Sequence, residues 1–543
     1  MHPTLRDGLS APVRGEPPVR PGVRRVGERA ALIEYGSTEE VHEAWRSLQA
    51  HPLADLEEVV AGARTLLLRF ARPPVDGSGP LAEGQFGWPD PYRWVGRRRS
   101  PAAADSEERP PLTIPVRYGG PDLESVAHEC GVGPEVVVSR HSAAVYTVGF
   151  LGFSPGFAYL VGGPAELAVP RLRTPRTSVP AGSVALADGM TAIYPQSTPG
   201  GWRIIGRTSA IMFRPDRARP ALLGPGDRVR FEPVSDLSQM EEVDLRVPLT
   251  PPSPGRPAVE VLEPGVLLTV QDCGRRGWAH VGVPAAGAAD AGSARLANRL
   301  VGNPDSAAVL EATAGRCRLR MAADRLVAVT GADAELTVDG LPARLRSALP
   351  LRAGTELALG PCRAGLRAYV AVHGGFDTPL VLGSRSTDTL SGLGPAPLRA
   401  GDRLALGAPT KGATASTASA AEVVPPPQRQ LLIEARWGPR QDWLSDAGRS
   451  LMAEARWTVS PASDRTGVRL DGPQLPPARA GSLPSEGMVP GAVQLPPSGR
   501  PIVLMRNHPP TGGYPVVAVV GEGGVDELAQ ARPGTIVSFF FQP

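Results

Sequence analysis

The sequence predicts a mainly β protein in which β barrels follow one another along the chain, behind a small α+β domain. Its 543 residues are enough for three to five domains of the usual size, roughly 100–200 residues each. The 63 glycines and 61 prolines make up more than a fifth of the chain and disfavour long helices, because proline lacks the backbone donor that a helix needs. Between them lie many apolar runs of about four to ten residues, an ordinary strand length. Barrels fit this pattern better than a doubly wound sheet.

The first domain is predicted within residues 24–111, after a Pro- and Arg-rich N terminus at 1–23 that we expect to be disordered. A strand is expected in RRVGERAALIEYG, a helix in EEVHEAWRSLQAHPL and another strand in RTLLLRFA. The apolar residues of the helix recur every three or four positions, at Val41, Ala44, Trp45 and Leu48. From residue 75 to 111 the domain continues as a long insertion.

A first barrel is predicted in residues 112–235. It opens with the strand LTIPVRY and a short helix in PDLESVAHECGV, for which Asp122 is the expected N-cap. Short strands separated by Gly and Pro follow in AVYTVGFLGF, GSVALA, TAIYP, WRIIGRT, IMFR and DRVRFEPV. Residues 236–257 then form a linker.

Two further β domains are predicted at 258–408 and 429–543, joined by a low-complexity linker at 409–428. The first contains a helix in SARLANRLVG, which Gly302 ends. Its strands are expected in AVEVLEPGVLLTVQD, RLVAVTG, ELTVDG, LRAYVAVHGG and DRLALG. The last domain is strand-rich, with LLIEAR, WTVS, VRLDG, PIVLM, YPVVAVV and TIVSFFF.

Composition excludes several classes of function. A net charge of +3 gives no polyanion signal over this length, so we expect no nucleic-acid partner. No stretch of about 18 apolar residues is present, so we expect no membrane span. The four cysteines suit neither a zinc site nor a disulfide framework, which predicts a cytoplasmic protein with reduced thiols.

Lys411 is the only lysine, and it lies in the linker at 409–428. Gly412 and Ala413 follow it, so it does not belong to a Walker A phosphate loop. Schiff-base chemistry needs a buried lysine, and a biotin carrier needs a Met-Lys site. We therefore expect no covalent biotin on this chain and no lysine-dependent chemistry.

Two regions of the first barrel could bind a ligand. GFLGFSPGFAYL (149–160) combines bare backbone with aromatic walls, although a buried aromatic hairpin is the simpler alternative. VPRLRTPRTSVPAG and YPQSTPGGWRIIGRT place arginines on stiff loops, which suits bidentate binding of carboxylate or phosphate, with plain surface arginines as the alternative. The side chains concerned are Phe153, Phe157, Tyr159, Arg171, Arg173, Arg176, Tyr194, Trp202 and Arg207.

The densest polar constellation is TVQDCGRRGWAHVGVPAAGAADAGSARLANRLVGNP (269–304). Asp290 precedes the predicted helix, so its carboxylate could cap the helix or act as a base. Cys273 beside arginines could have a lowered pKa, yet no His and Asn partners support a nucleophile. The polar residues of the segment are Asp272, Arg275, Arg276, His280, Asp290, Arg295, Asn298 and Asn303.

Later segments repeat Gly-rich turns with polar side chains. LGSRSTDT (382–389) brings Arg385, Ser386 and Asp388 together, and SDRTGVRLDG and HPPTGGYP have a similar character. Such turns can present backbone N–H groups to an anion. Each of them alone is more typical of a plain turn.

Taken together, these motifs resemble two known families. GFLGFSPGFAYL, PRTSVPAGSVALA and YPQSTPGGWRIIGRT resemble the allophanate hydrolase subunit 1 family, which includes the B subunit of 5-oxoprolinase and the Kip sporulation-kinase inhibitor. TVQDCGRRGW, GVPAAGAAD, RLANRLVGNP, LEATAGRC, HGGFDTPLVLGSRSTD and TGGYP resemble the subunit 2 family, which includes the C subunit of 5-oxoprolinase. The pair also resembles the carboxyltransferase part of urea carboxylase. The resemblance covers about residues 24–235 and 258–541.

The resemblance implies cyclophilin-like barrels in tandem and a natural fusion of the B and C subunits. It implies ATP-dependent opening of the 5-oxoproline lactam to L-glutamate, with ATP and Mg²⁺ and a separate A subunit, and it is compatible with a homo-oligomer. It makes Asp272, Asp290 and Asp388 candidate catalytic residues, the last two for proton transfer or Mg²⁺ contact. The candidate substrate- and nucleotide-binding residues are Tyr159, Arg171, Arg176, Tyr194, Trp202, Arg207, Arg275, Arg276, Asn298, Arg385, Ser386, Thr511, Gly512, Gly513 and Tyr514.

Departures from the family pattern leave other functions open. Asn507 replaces an Asp of the last signature, Pro509 and Pro510 replace Gln and Thr, Ala289 replaces Met, and residues 190–192 replace Gln-Thr-Gly. The lost carboxylate and amide groups could redirect catalysis. One alternative is a carboxyltransferase that works with a separate biotin carboxylase and biotinylated carrier. Another is a Kip-type regulator, which would bind a histidine kinase and show no lactam-dependent ATP hydrolysis.

Overall fold

The computed structural model describes residues 22–73, 110–237, 245–249, 252–253, 256–409, 430–479, 481 and 483–542. The predicted disordered N terminus, the insertion and the low-complexity linker lie almost wholly outside these residues. Within them the predicted mainly β architecture with tandem barrels is confirmed. Two closed seven-stranded barrels and an open nine-stranded sheet contain most of the strands.

The N-terminal unit is a four-stranded antiparallel sheet with one helix. Its elements are β1 (Gly22–Val26), β2 (Ala30–Glu34), α1 (Thr38–Ala50), β3 (Leu56–Ala61) and β4 (Thr65–Phe70), in the sheet order β1-β2-β4-β3. The prediction of a single strand in RRVGERAALIEYG is wrong. This segment forms the hairpin β1–β2, because Gly27 at φ +65° turns the chain back. Helix α1 is confirmed, with Ser37 as its N-cap and its apolar face buried at Val41, Ala44 and Leu48.

The first barrel is closed by seven strands between residues 112 and 233. Its elements and the strands beside it are β5 (Leu112–Tyr118), α2 (Leu123–Glu129), α3 (Pro134–Ala143), β6 (Val145–Leu151), β7 (Ala158–Val161), β8 (Arg176–Val179), β9 (Ser183–Ala187), β10 (Met190–Ile193), β11 (Thr198–Gly200), β12 (Arg203–Arg207) and β13 (Arg228–Pro233). The order around it is β10-β7-β6-β13-β5-β12-β9. Asp122 occupies the predicted N-cap position of α2, but its carboxylate makes no capping hydrogen bond, because it accepts from Arg176 and the Ile204 N–H instead.

The second β domain is built on the open nine-stranded sheet. Its elements, with the β14–β23 pair beside the sheet, are β14 (Arg246–Val247), β15 (Ala258–Glu263), β16 (Leu267–Gln271), α4 (Ala291–Leu300), β17 (Val309–Thr313), β18 (Gly315–Met321), β19 (Arg325–Val338), β20 (Leu341–Pro342), β21 (Leu349–Leu351), β22 (Glu356–Val372), β23 (Gly394–Pro395) and β24 (Arg403–Ala405). The two strands predicted in RLVAVTG and ELTVDG are one strand, β19, because register shifts after Gly331 let it continue along β22. Helix α4 is confirmed and ends before Gly302, which has φ +74°.

The last barrel repeats the closure of the first. Its elements and the strands beside it are β25 (Gln430–Trp437), α5 (Asp446–Glu454), β26 (Trp457–Val459), β27 (Gly467–Asp471), β28 (Glu486–Gly487), β29 (Ala492–Gln494), β30 (Ile502–Leu504), β31 (Thr511–Gly512), β32 (Val516–Val520), α6 (Glu522–Gln530) and β33 (Ile536–Phe541). The order around it is β25-β32-β29-β30-β27-β26-β33. Parallel pairing of β25 with β33 closes it, as the pairing of β5 with β13 closes the first barrel.

The N-terminal sheet packs against both barrels. It shares one buried apolar cluster with Phe157 and Trp202 of the first barrel. A second cluster joins Leu32 of the sheet to Val516 and Val519 of the last barrel. Burial of apolar surface therefore holds the units together, and side chains from distant parts of the sequence reach a common junction.

Candidate functional site

A charged cavity of about 210 Å³ lies where the N-terminal sheet, the second β domain and the last barrel meet. The sheet contributes Arg29 and Arg69, and the last barrel contributes Arg506 and Glu522. The remaining wall comes largely from the polar constellation at 269–304. Small-molecule sites prefer such concave junctions, so we take this cavity as the candidate site.

Asp272 is held on one wall of the cavity by four donors. One carboxylate oxygen accepts from the Gly274 N–H at 2.8 Å and from the Ser384 and Ser386 hydroxyls at 2.6 Å. The other oxygen accepts from the Arg385 N–H at 2.6 Å. The sequence motifs at 269–304 and 382–389 thus meet at this carboxylate, which shapes the wall. Its catalytic role stays a prediction.

The turn at residues 285–288 forms another part of the wall. Ala286 at φ +54° and Gly287 at φ +90° have left-handed backbone, which is uncommon for alanine. A side chain at 287 would be strained by the positive φ and crowded, since its Cβ would lie 3.1 Å from the Gly274 nitrogen and the Asp272 carbonyl oxygen. Backbone in sparsely populated regions clusters at functional sites, because the surrounding structure must hold it there.

A buried polar network holds this turn from below. Glu311 is fully buried and pairs with Arg465 of the last barrel, which also donates to the Gly287 carbonyl at 2.5 Å. The Tyr369 hydroxyl donates to Glu311 at 2.9 Å. Burial raises the pKa of Glu311, but the charges of Arg465 and Arg367 outweigh burial and lower it. The network therefore keeps a charged pair beneath the turn and joins two domains.

Asp290 belongs to the same network and is the N-cap of α4. Its carboxylate accepts from the Ser293 N–H at 2.9 Å, the Ser293 hydroxyl at 2.6 Å and the Gln530 amide at 2.7 Å. Burial and then nearby Asp526 raise the pKa of Asp290. It is buried and does not line the cavity. Of the two roles that the sequence allowed for Asp290, the structure shows helix capping. Catalysis by Asp290 stays a prediction.

Five arginines line the cavity, and four of them have counter-ions. The ion pairs are Arg29–Glu522, Arg276–Glu57 and Arg506–Asp526, and Arg69 pairs with both Glu57 and Glu58. The fifth, Arg295 on α4, has neither an ion-pair nor a hydrogen-bond partner in the described ranges. The uncompensated positive charge of the cavity is therefore concentrated at Arg295.

Cys273 and Asn298 lie on the wall near Arg295. Cys273 is exposed, and its thiol lies 3.6 Å from the Asp305 carbonyl oxygen. The expectation of a lowered pKa is wrong: desolvation by the wall raises the pKa of this thiol, although Arg276 acts in the other direction. The Asn298 amide is used within the protein, because it donates to the Ala307 carbonyl at 2.8 Å.

The other predicted residues of this half support the wall. Arg275 is fully buried and donates to the backbone carbonyls of Ser386 and Val381. Arg385 pairs with Asp377 at 2.6 Å. The Asp388 carboxylate accepts two N–H bonds within its own turn, at 2.9 and 3.1 Å. None of the side chains of Arg275, Arg385 and Asp388 lines the cavity.

The predicted aromatic residues of the first barrel form a separate cluster. Phe157 packs edge to face against Tyr159, Tyr194 and Trp202, with ring centroids 4.9–5.8 Å apart. These rings are buried and share a core with the N-terminal sheet. The structure thus has the aromatic packing that the sequence offered as the simpler alternative.

The arginines predicted in the first barrel bind groups of their own barrel. Arg176 donates two hydrogen bonds to Asp122, at 2.7 and 2.9 Å. Arg171 pairs with Asp188 at 3.0 Å, and Arg207 donates to a backbone carbonyl at 3.3 Å. They lie outside the cavity, and their role in anion binding stays a prediction.

The TGGY motif lies at the seam between the barrels. Thr511 packs against Gly152 of the GFLGFSPGF loop, and Gly512 pairs with Glu486 in a two-stranded ladder. Gly513 follows, and Tyr514 is 44% exposed. Thr511 therefore joins the two barrels, and none of the four residues lines the charged cavity.

Comparison with known proteins accounts for both halves of the chain. Residues 21–223 match the family model for the carboxyltransferase domain, subdomains C and D, and residues 281–541 match the model for subdomains A and B. The chain is 36% identical over 288 residues to the 5-oxoprolinase C subunit of Escherichia coli, covering 52% of this chain and 90% of that protein. It is 37% identical over 232 residues to the 5-oxoprolinase B subunit of Bacillus subtilis, covering 40% and 95%. The chain belongs to the carboxyltransferase-domain family.

A solved structure has the same arrangement of the two family halves over nearly the whole chain. The crystal structure of TTHA0988 superimposes with a TM-score of 0.81 at 33% identity, covering 94% of this chain and 99% of that one. The fold is therefore mainly β, with cyclophilin-like barrels in tandem. Both family halves lie in one polypeptide, as the fusion prediction requires.

The sequence motifs identified the wall that residues 269–304 form. They did not identify the walls that come from the N-terminal sheet and the last barrel. Arg29 and Arg69 lie among other arginines of the N-terminal strands, and Arg506 directly precedes Asn507 in the last signature, so nothing in the local sequence separates them from surface arginines. Arg295 was part of the polar constellation, and its place on the exposed side of a capped helix was the available signal.

The described part of the chain contains neither a membrane-spanning helix nor a cluster of metal-ligating side chains. No helix there is both long and apolar enough to span a bilayer. No three His, Cys, Asp or Glu side chains come together there as a set that could hold a metal ion.

Proposed function

We propose that this chain is the fused B and C component of an ATP-dependent 5-oxoprolinase, which opens 5-oxoproline to L-glutamate with a separate A subunit. One observation carries the proposal: the two parts of the chain match nearly the full lengths of a B-type and a C-type subunit. A fusion fixes their ratio at one to one. The four cysteines form no disulfide, in keeping with a cytoplasmic location.

The proposed reaction assigns a binding and positioning role to the chain. A lactam is a poor electrophile, and phosphoryl transfer from ATP to its carbonyl oxygen would supply the activation before water attacks. The residues of the cavity would hold the lactam, and the network under the 285–288 turn would keep backbone N–H groups in place. Asp272, which is held by four donors, would orient this wall.

ATP does not fit the charged cavity together with a lactam. Its volume of about 210 Å³ is below the roughly 300–1,000 Å³ of sites for drug-sized ligands. A larger groove of about 690 Å³, lined by Trp45, Trp278 and Arg228, lies beside the first barrel. ATP and Mg²⁺ would bind there or on the A subunit.

The experiment is a reconstitution. The chain is purified with its A subunit, and ADP and glutamate are measured with and without 5-oxoproline. Glutamate formed only when both proteins, ATP and the lactam are present supports the proposal. No glutamate with an A subunit that is active beside an authentic B and C pair refutes it.

A second candidate function is carboxyl transfer, favoured by the description of the two matched family models. The chain would then accept a carboxyl group from a biotinylated carrier protein. Loss of ¹⁴C label from carboxylated carrier on addition of this chain and an amide acceptor would support it. Label that stays on the carrier while glutamate is made with the A subunit would exclude it.

A further inference from the structure

Arg295 gives the charged cavity a defined ligand preference. It is the one arginine of the lining with no ion-pair partner in the described ranges. A guanidinium presents its N–H groups as a planar fork, which a carboxylate matches with two parallel hydrogen bonds. The other four arginines have acidic partners, and the Asp272 carboxylate also lines the cavity, so a ligand with one negative charge fits better than a polyphosphate.

The turn at 285–288 offers neutral donors in the same cavity. Ala286 and Gly287 line it, and their backbone N–H groups donate no hydrogen bond within the described residues. Ala286 is 4% exposed, and buried N–H groups without an acceptor are rare in proteins. A ligand carbonyl oxygen would satisfy them.

The size of the cavity limits the ligand further. A volume of about 210 Å³ suits a small metabolite better than a nucleotide. The cavity is small, and its described lining contains one unpaired cation and neutral backbone donors. These properties fit a small monocarboxylate that carries an amide carbonyl.

We propose that this cavity binds the lactam substrate, with Arg295 holding its carboxylate and the N–H groups of residues 286 and 287 facing its ring carbonyl. This inference rests on the proposed function and names the substrate site within it. The chemical class is a small cyclic amide with one carboxylate, and 5-oxoproline is its test member. Negative charge that develops on the carbonyl oxygen would then lie beside preorganised donors.

Cys273 reports directly on occupancy, because it is exposed on the cavity wall. The full chain is labelled with a small maleimide at pH 8.5, and each cysteine is followed by mass spectrometry, with Cys130 as the internal control outside the cavity. We expect 5-oxoproline to slow labelling at Cys273 and not at Cys130. 2-Pyrrolidone, which lacks the carboxylate, should protect far less. Equal protection by both compounds, or none by millimolar 5-oxoproline, overturns the proposal.

Arg295→Gln tests the carboxylate anchor, and Arg320→Gln is its matched control, since Arg320 lies outside the cavity and pairs with Glu260 at 3.3 Å. We expect Arg295→Gln to raise the 5-oxoproline concentration for half-protection roughly tenfold to a hundredfold, the factor for loss of a charge-assisted hydrogen bond. Arg295→Lys should recover part of the loss. Arg320→Gln should change nothing. An unchanged midpoint in a folded Arg295→Gln variant overturns the proposal.

These experiments distinguish a wrong assignment of the substrate site from a wrong assignment of the oxoprolinase function. If the Arg295→Gln variant turns over 5-oxoproline with the A subunit at an unchanged KM, the proposed substrate site is refuted and the proposed function is not. Protection of Cys273 by 5-oxoproline without any turnover would support the site as a carboxylate and amide pocket and refute the oxoprolinase function.

Discussion

Gly152 of the first barrel lies against Thr511 of the last barrel so closely that no side chain fits between them. A Cβ at 152 would overlap the Thr511 hydroxyl and lie 2.7 Å from the Thr511 Cβ. Two domains that are far apart in the sequence therefore meet on bare backbone. This contact explains why the GFLGFSPGF loop needs glycine at that position, independently of any ligand.

We expect Gly152→Ala to lower the free energy of unfolding by about 1–3 kcal/mol, the range for overpacking. Urea unfolding measures it. Gly523→Ala is the control: this glycine lies in α6 with open space around its Cα, so alanine should be neutral or stabilising. Adding Thr511→Gly should recover part of the loss. A Gly152→Ala variant as stable as the parent would show that the barrels can shift apart without cost.

Arg440 of the last barrel forms a buried ion pair within that barrel and a second, partly exposed ion pair with the N-terminal sheet. Arg440 pairs with Glu486 and with Glu34 of β2, and the first two side chains are almost fully buried. Arg440→Ala leaves a buried carboxylate without its partner, so we expect a loss of about 3–5 kcal/mol in urea unfolding. Arg449→Ala removes an exposed ion pair on α5 and should cost less than about 1 kcal/mol. Similar losses in the two variants would contradict the assignment.

Asp290→Asn separates a capping role from a catalytic one. Asparagine can still cap α4, but it offers one oxygen where Ser293 and Gln530 now donate to two. We expect a loss of about 1–2 kcal/mol in stability, with turnover of the folded enzyme within a few-fold of the parent. Serine at the same position is the comparison that keeps a cap and removes the carboxylate. A large drop in kcat at unchanged stability would instead make Asp290 a catalytic residue.

His141 makes the first barrel sensitive to acid. Its Nε2 lies 3.0 Å from the Thr191 hydroxyl, which donates onward to the Ala185 carbonyl, so Nε2–H donates and Nδ1 accepts from Tyr118 at 2.7 Å. Complete burial lowers the pKa of His141 from its usual 6.5 to about 3. The unfolded chain takes up a proton on this imidazole at higher pH than the folded one, so the contribution of His141 to stability is full above about pH 6.5 and is lost as the pH falls toward 3.

We expect the free energy of unfolding to fall by about 3 kcal/mol between pH 6.5 and pH 4 through His141 alone. Urea unfolding at several pH values measures the slope. His141→Gln should flatten that slope, while His508, which burial also brings to a pKa of about 4, should keep part of it. An equally steep slope without His141 would assign the acid sensitivity to other groups.

Local patterns in the sequence predicted much of the secondary structure. The spacing of Val41, Ala44 and Leu48 marked α1, and Asp290 with Gly302 marked the ends of α4. Helices α3, α5 and α6 escaped prediction, since their short apolar patterns sit among Gly and Pro. The sequence predicts one strand where the hairpin at Gly27 lies, because a single glycine can occur within a strand as well as in a turn.

The sequence by itself determined the mainly β class, the positions of α1 and α4 and the family, because periodicity, caps and long motifs are local properties of the chain. Only the tertiary structure decided which polar groups act together. Arg29, Arg276 and Arg506 come from three units, and each is neutralised by an acid that is close in space. Arg295 differs from them only in lacking such a neighbour. Electrostatic compensation depends on distances between side chains that folding alone sets, so the one free cation of the cavity, among the described residues, could not be read from the sequence.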